Sequence, residues 1–142
     1  MADIYPYLVF ENAKEAMDYY VQQFGAQIID RRCLTKDQVE SYGLELTNLD
    51  DTTAYGEFTI AGQTFTCADA MMAMPQTSSL VSILLDFADD NAEAANFFEH
   101  LAASDDQRVT LPFSPQPSGS QAGQIVDRYG ITWLISAGFM SH

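Results

Sequence analysis

Cysteine is scarce in this chain of 142 residues: only Cys33 and Cys67 occur, each inside an apolar, strand-like run. The length allows a core that needs no disulfide or metal staple, and both thiols read as small buried hydrophobes rather than a redox pair. Positive charge is scarce too. Six Lys and Arg residues face twenty Asp and Glu, a formal charge of −14. Such a chain repels a phosphate backbone, and no basic stripe gathers the six cations, so nucleic acid is not an expected partner. The longest apolar runs are far too short to cross a bilayer, and residues 1–10 show no basic stretch ahead of an apolar one. Neither membrane nor secretory signal is expected, and the expected location is cytoplasmic. Histidine is limited to His100 and His142. The sequence shows no Gly-rich phosphate loop, Ser-His-Asp set, paired metal-ligand motif or S-adenosylmethionine-binding motif.

What the chain does contain is one pattern written twice. Residues 123–137, GQIVDRYGITWLISA, hold two β-rich runs joined by Asp127-Arg128-Tyr129-Gly130, which suits a type I turn opening a hairpin. Upstream, residues 56–69, GEFTIAGQTFTCAD, repeat it: Gly56, Glu57 and Phe58 match Gly123, Gln124 and Ile125. After a one-residue offset at Tyr129, Gly62, Phe65 and Cys67 match Gly130, Trp133 and Ile135. The helical patterns repeat as well. Asn12 is a cap followed three residues on by Glu15, with Ala13, Ala16, Met17, Tyr20, Val21 and Phe24 at helical spacing and Gly25 at the stop. In the second half Asp90 or Asn91 caps a helix whose stripe is Ala94, Ala95, Phe97, Phe98 and Leu101.

Strands are expected over residues 4–10, 26–34, 53–61, 64–69, 79–87, 108–111, 121–127 and 131–137. A surface loop is expected over 35–51, with one helical turn near 37–41; a Met-bearing linker over 70–78; and a Pro/Ser/Gly loop over 112–119. Each half then runs β, α, β, β, β, and the modules are residues 1–74 and 75–142.

The order PYLVF, NAKEAMDYYVQQFG, GEFTIAGQTF and terminal DRYGITWLIS resembles the vicinal oxygen chelate superfamily (glyoxalase I, bleomycin-binding and fosfomycin-resistance proteins, extradiol dioxygenases), and within it the PhnB-like branch. The resemblance covers nearly the whole chain. It implies an α+β fold of two tandem βαβββ modules, their curved mixed sheets around a cleft and their helices on the outer faces, and a homodimer. It also implies that a divalent metal, where present, sits on His, Gln or Glu of both modules. Here the chain departs from the family: four residues beyond each hairpin glycine, at the glyoxalase-type carboxylate position, stand Thr66 and Leu134. PhnB-like relatives tend to carry His at Tyr55 and Trp at Ser118. No cofactor is therefore expected, and a divalent metal only at an atypical site.

Strand alternation sends Phe58, Ile60, Phe65 and Trp133 to one face and Tyr55, Glu57, Thr66, Gln124 and Leu134 to the other, which is the expected ligand-binding set. A one-residue bulge within 53–61 would swap the faces. Glu57 is the one carboxylate of the set and the single catalytic candidate; as a plain wall residue it would hydrogen-bond Tyr55 or Gln124, or face solvent. Three functions stay open. The protein binds a small, partly apolar molecule; or it is an isomerase, lyase or dioxygenase working through Glu57 or an atypical metal site; or it is a homodimeric scaffold.

Overall fold

A computed structural model of the chain describes residues 1–43, 49–71 and 74–140; His142, named above, lies outside the described residues, as do parts of the expected 35–51 loop and 70–78 linker. The chain divides into two compact units, Met1–Pro75 and Gln76–His142. Among the described residues no helix is long and apolar enough to cross a membrane.

The first unit holds β1 (Tyr7–Phe10), α1 (Ala13–Phe24), β2 (Gln27–Cys33), α2 (Lys36–Ser41), a 3-10 turn at Leu49–Asp51, β3 (Thr53–Ile60) and β4 (Gln63–Asp69). Its sheet runs β1-β4-β3-β2, with β1 parallel to β4 and the other pairs antiparallel. The second unit holds β5 (Ile83–Asp86), α3 (Asn91–Ala102), β6 (Arg108–Pro115), β7 (Gln121–Val126) and β8 (Thr132–Ala137). Its sheet runs β5-β8-β7-β6 with the same directions. The fold is α+β, two tandem βαβββ modules.

The repeat holds at the level of register. Gly56, Glu57 and Phe58 pair with Cys67, Thr66 and Phe65, as Gly123, Gln124 and Ile125 pair with Ile135, Leu134 and Trp133. Phe65 and Trp133 are both buried. Around Phe65 the first core is an aromatic stack: Tyr20 lies 5.6 Å from Phe58, and Phe58 lies 5.5 Å from Phe65, nearly parallel in both cases. The second core gathers Trp133, Ile125, Ile135, Phe98 and Leu101.

Local signals set the helices. Asn12 accepts from the Glu15 amide, Asp90 accepts from the Glu93 amide, and Gly25 ends α1 at φ +68°. The short α2 has a reciprocal capping box between Thr35 and Gln38. One cap is not local: the Ala13 amide donates to Asp69 Oδ1 at 2.7 Å, tying the end of β4 to the start of α1.

Several expected boundaries move. β1 begins at Tyr7, after Pro6, whose carbonyl accepts from both the amide and the hydroxyl of Thr66. β5 is only Ile83–Asp86, and Leu80 and Val81 stand exposed before it. In α1 Val21, expected in the buried stripe, is exposed, while Tyr19 is buried as helical spacing leads one to expect, edgewise on Tyr20 at 5.0 Å. The expected 112–119 loop is replaced up to Pro115 by strand: β6 runs on through Pro112, with register irregularities between Val109 and Leu111 and between Leu111 and Ser114. Proline is tolerated there because β6 is an edge strand and its outward amide positions need no partner.

The two thiols differ sharply. Cys67 is fully buried between strands, and burial, with Asp69 adding and Arg31 opposing, pushes its thiol from 9.0 up to about 12. Cys33 is half-exposed. An aromatic disulfide reagent is expected to titrate one thiol per native chain and two after denaturation; two fast thiols in the native protein would contradict this packing. The linkage has a definite sign. Between pH 9 and about 12 the unfolded chain releases the Cys67 proton and the native chain keeps it, so this contribution is whole below pH 9 and declines as pH rises, at roughly 1.4 kcal/mol per pH unit.

Candidate functional site

Along β3 the side chains alternate: Gly56, Phe58 and Ile60 are buried toward α1, while Tyr55, Glu57 and Thr59 are half-buried on the opposite, open face. A bulge does occur on β3, but ahead of the site; a second irregularity, between Ile28 and Asp30, puts its extra residue on β2 and leaves the alternation of β3 unbroken at Glu57. The register passes from Arg32 opposite Tyr55 to Cys33 opposite Thr53, leaving Ala54 as the extra residue. The parity change therefore falls on Thr53, which is fully buried and accepts from Arg31 Nε at 2.8 Å. Glu57 keeps the open face.

Register extends that face across the sheet. Tyr7 on β1 pairs with Thr66 on β4, Thr66 with Glu57 on β3, and Glu57 with Asp30 on β2, so Tyr7, Thr66, Glu57 and Asp30 form one transverse row. Beside it Tyr55 pairs with Arg32. The Tyr55 hydroxyl donates to Glu57 Oε1 at 2.9 Å, Thr66 donates its hydroxyl to the Pro6 carbonyl at 2.7 Å, and Arg32 is bridged to Asp30 at 2.9 Å. The Tyr55 phenol is pushed up from its usual value, chiefly by the hydrogen bond to Glu57, then by burial and by the charges of Glu57 and Asp30, with Arg32 opposing. Tyr55 is thus held as a neutral donor rather than a base.

Of the expected set, Tyr55, Glu57 and Thr66 come together on this face. Gln124 and Leu134 pair with each other on the second sheet, in a row that runs Leu84, Leu134, Gln124, Leu111. The two rows occupy the same register of the repeated module: one carries phenol, hydroxyl and two carboxylates, the other three leucines and an amide. The resemblance puts residues 5–7 at the family's strand-opening ligand position, but the expected ligand-binding set leaves out Tyr7, and Asp30 and Arg32 with it. The available signal was the Asp30-Arg31-Arg32 run in a strand otherwise placed by Ile28 and Ile29.

The superfamily's metal site finds no counterpart in these residues. Thr66 and Leu134 supply no anionic ligand, and His100 is exposed on the last turn of α3. Among the described residues no three His, Cys, Asp or Glu side chains stand together as a metal-binding group. The side chains at these positions do not fit a divalent transition ion. A separate cavity of about 540 Å³ lies in the second unit against the Asp127–Gly130 turn, with Thr77, Gln107, Arg108 and Arg128 on its walls. Two of its polar groups already serve the fold: Gln107 donates to the Leu101 carbonyl, and Asp127 accepts from Trp133.

Residues 2–136 match the family model described as 3-demethylubiquinone-9 3-methyltransferase. No curated protein matches the chain. Among solved structures, a PhnB protein from Bacillus cereus is 24% identical with a TM-score of 0.69, over 96% of this chain and 99% of that one. Protein PA1353 from Pseudomonas aeruginosa is 24% identical with a TM-score of 0.70, over 96% and 98%. The fosfomycin resistance protein FosX from Listeria monocytogenes is 13% identical with a TM-score of 0.65, over 99% and 95%. At these identities the structural likeness establishes the fold, and the family match over nearly the whole chain establishes the lineage. This chain belongs to the 3-demethylubiquinone-9 3-methyltransferase family, a PhnB-like branch of the vicinal oxygen chelate superfamily.

Proposed function

We propose that the protein binds a small molecule on the open face of its first sheet, through Tyr55, Glu57 and Thr66, and needs no resident metal to do so. The observation that carries this reading is the Tyr55–Glu57 hydrogen bond on a half-buried, polar face. It holds a carboxylate and a phenol in fixed orientation where a ligand can reach them, which is how a binding wall is preorganised. Gln124 and Leu134, at the equivalent register of the second sheet, are proposed as ligand-facing too. The family's methyltransferase description is not carried over as an activity. Glu57 stands without a nucleophile, a metal-binding cluster or a hydrogen-bonded second acid beside it among the described residues, which favours a binding role over acid–base turnover.

A fragment screen followed by amide chemical shifts tests this: hits are expected to move the Tyr55, Glu57 and Thr66 amides, and a diverse library that moves none of them would overturn the proposal. Glu57→Gln is expected to keep the fold and to change stability by less than about 0.5 kcal/mol, because the amide oxygen still accepts from Tyr55. The protein is further proposed to act in the cytoplasm as a homodimer, in support of which both four-stranded sheets end in edge strands. Light scattering at micromolar concentration should return twice the mass of the chain; a monomer would refute the dimer.

A further inference from the structure

Resting on the reading of the first sheet's open face as the ligand surface, we propose that its occupant is a small organic cation: an ammonium group carried on an aromatic or apolar body. The transverse row has an aromatic end and an anionic end. Tyr7 is 60% exposed on edge strand β1, and Glu57 and Asp30 lie two and three strands away. At the usual strand spacing, roughly 10 Å separates Tyr7 from Glu57. That is the reach of an arylalkyl ammonium laid across the strands, its ring beside Tyr7 and its charge at Glu57.

Glu57 has capacity for it. Among the described residues its Oε1 accepts from Tyr55, and Oε2 takes no hydrogen bond. An ammonium there gains a charge-assisted hydrogen bond to a carboxylate already held in place by the Tyr55 hydroxyl, and the Tyr55 phenol stays uncharged. The cation beside this row, Arg32, is neutralised by Asp30. The local balance of Glu57, Asp30 and Arg32 is therefore one negative charge. The whole chain, at −14, steers cations toward the face and anions away from it. The equivalent row of the second sheet, Leu84, Leu134, Gln124 and Leu111, has no charge at all. Cation recognition is thus confined to one copy of the duplicated module.

Three compounds sharing a phenylalkyl body test the proposal: 2-phenylethylammonium, 2-phenylethanol and 3-phenylpropanoate, each titrated at low salt while the Tyr55, Glu57 and Thr66 amides are followed. The ammonium compound is expected to bind at least about tenfold more tightly than the alcohol, as a charge-assisted contact implies, and the carboxylate compound most weakly. Glu57→Gln should remove that preference, and Arg32→Ala, which frees Asp30, should enlarge it; added salt should shrink it. If ammonium and alcohol bind this face alike, the cation proposal fails and the small-molecule reading stands. The cation proposal fails in the same way if none of the three moves these amides while a diverse fragment library does. If no compound from either set moves them, both readings fail.

Discussion

Asp127→Ala is expected to destabilise the protein by about 4 kcal/mol in urea denaturation, a large part of the stability of an ordinary domain. Asp127 is only 5% exposed, and its carboxylate serves both the turn and the core: Oδ1 accepts from the Tyr129 amide at 2.8 Å and the Ile131 amide at 3.0 Å, and Oδ2 accepts from the Trp133 indole at 2.8 Å. The backbone closes the same turn, with the Gly130 amide donating to the Asp127 carbonyl and Gly130 at φ +86°. The two amides are part-buried and water can reach them once the carboxylate is gone. The indole N–H sits on a fully buried side chain, and its loss of an acceptor carries most of the cost. Asp127→Asn separates the two roles. Its oxygen can serve the turn amides, but its NH2 then meets the indole donor head on, so about half the loss should remain. Trp133 is the only tryptophan, so its fluorescence should shift to the red in both variants. A loss below about 1 kcal/mol for Asp127→Ala would show that the carboxylate is not the tie between turn and core.

Gly123→Ala is expected to cost about 3 kcal/mol, and Gly56→Ala about half as much, although both glycines have backbone angles that alanine adopts freely. A methyl at Gly123 would stand 2.6 Å from Phe98 Cε2 and 2.9 Å from the Phe113 Cα; at Gly56 it would meet Cys67 Sγ at 2.6 Å and Met17 Sδ at 2.9 Å. Both sites are where a helix lies against its sheet, α3 on β7 and α1 on β3. The difference between them is what has to give. Met17 has a flexible thioether that can re-rotate, whereas Phe113 presents backbone of a neighbouring strand. Equal losses, or a gain from reduced chain entropy of the unfolded state, would mean that these close approaches are absent.

Much of this could be read before any tertiary structure was known, wherever the signal spans three or four residues. Asn12, Asp90 and Gly25 act on amides within one helical turn, and the stripes of α1 and α3 are the 3.6-residue period itself. The two hairpins were legible because tight turns fix register, so that matching Gly56–Cys67 to Gly123–Ile135 in the sequence already matched them across the strands. Alternation then assigned Glu57 to the face opposite Phe58.

What the sequence by itself determined is therefore the order and type of the elements, the duplication, and the side of β3 that carries Tyr55 and Glu57. Tertiary structure alone decided which residues become their neighbours. Tyr7 and Asp30 enter the row only through pairing across about 60 and 27 positions of chain, and nothing local at either residue specifies its partner. The bulge at Ala54, the proline-bearing edge strand β6, the capping of α1 by Asp69 and the Trp133 bond to Asp127 have the same origin. Each depends on where a strand lies in its sheet or on a side chain crossing a core. Those positions are set by the collective packing of the whole module, whereas caps, turns and periodicity are set by backbone groups a few residues apart.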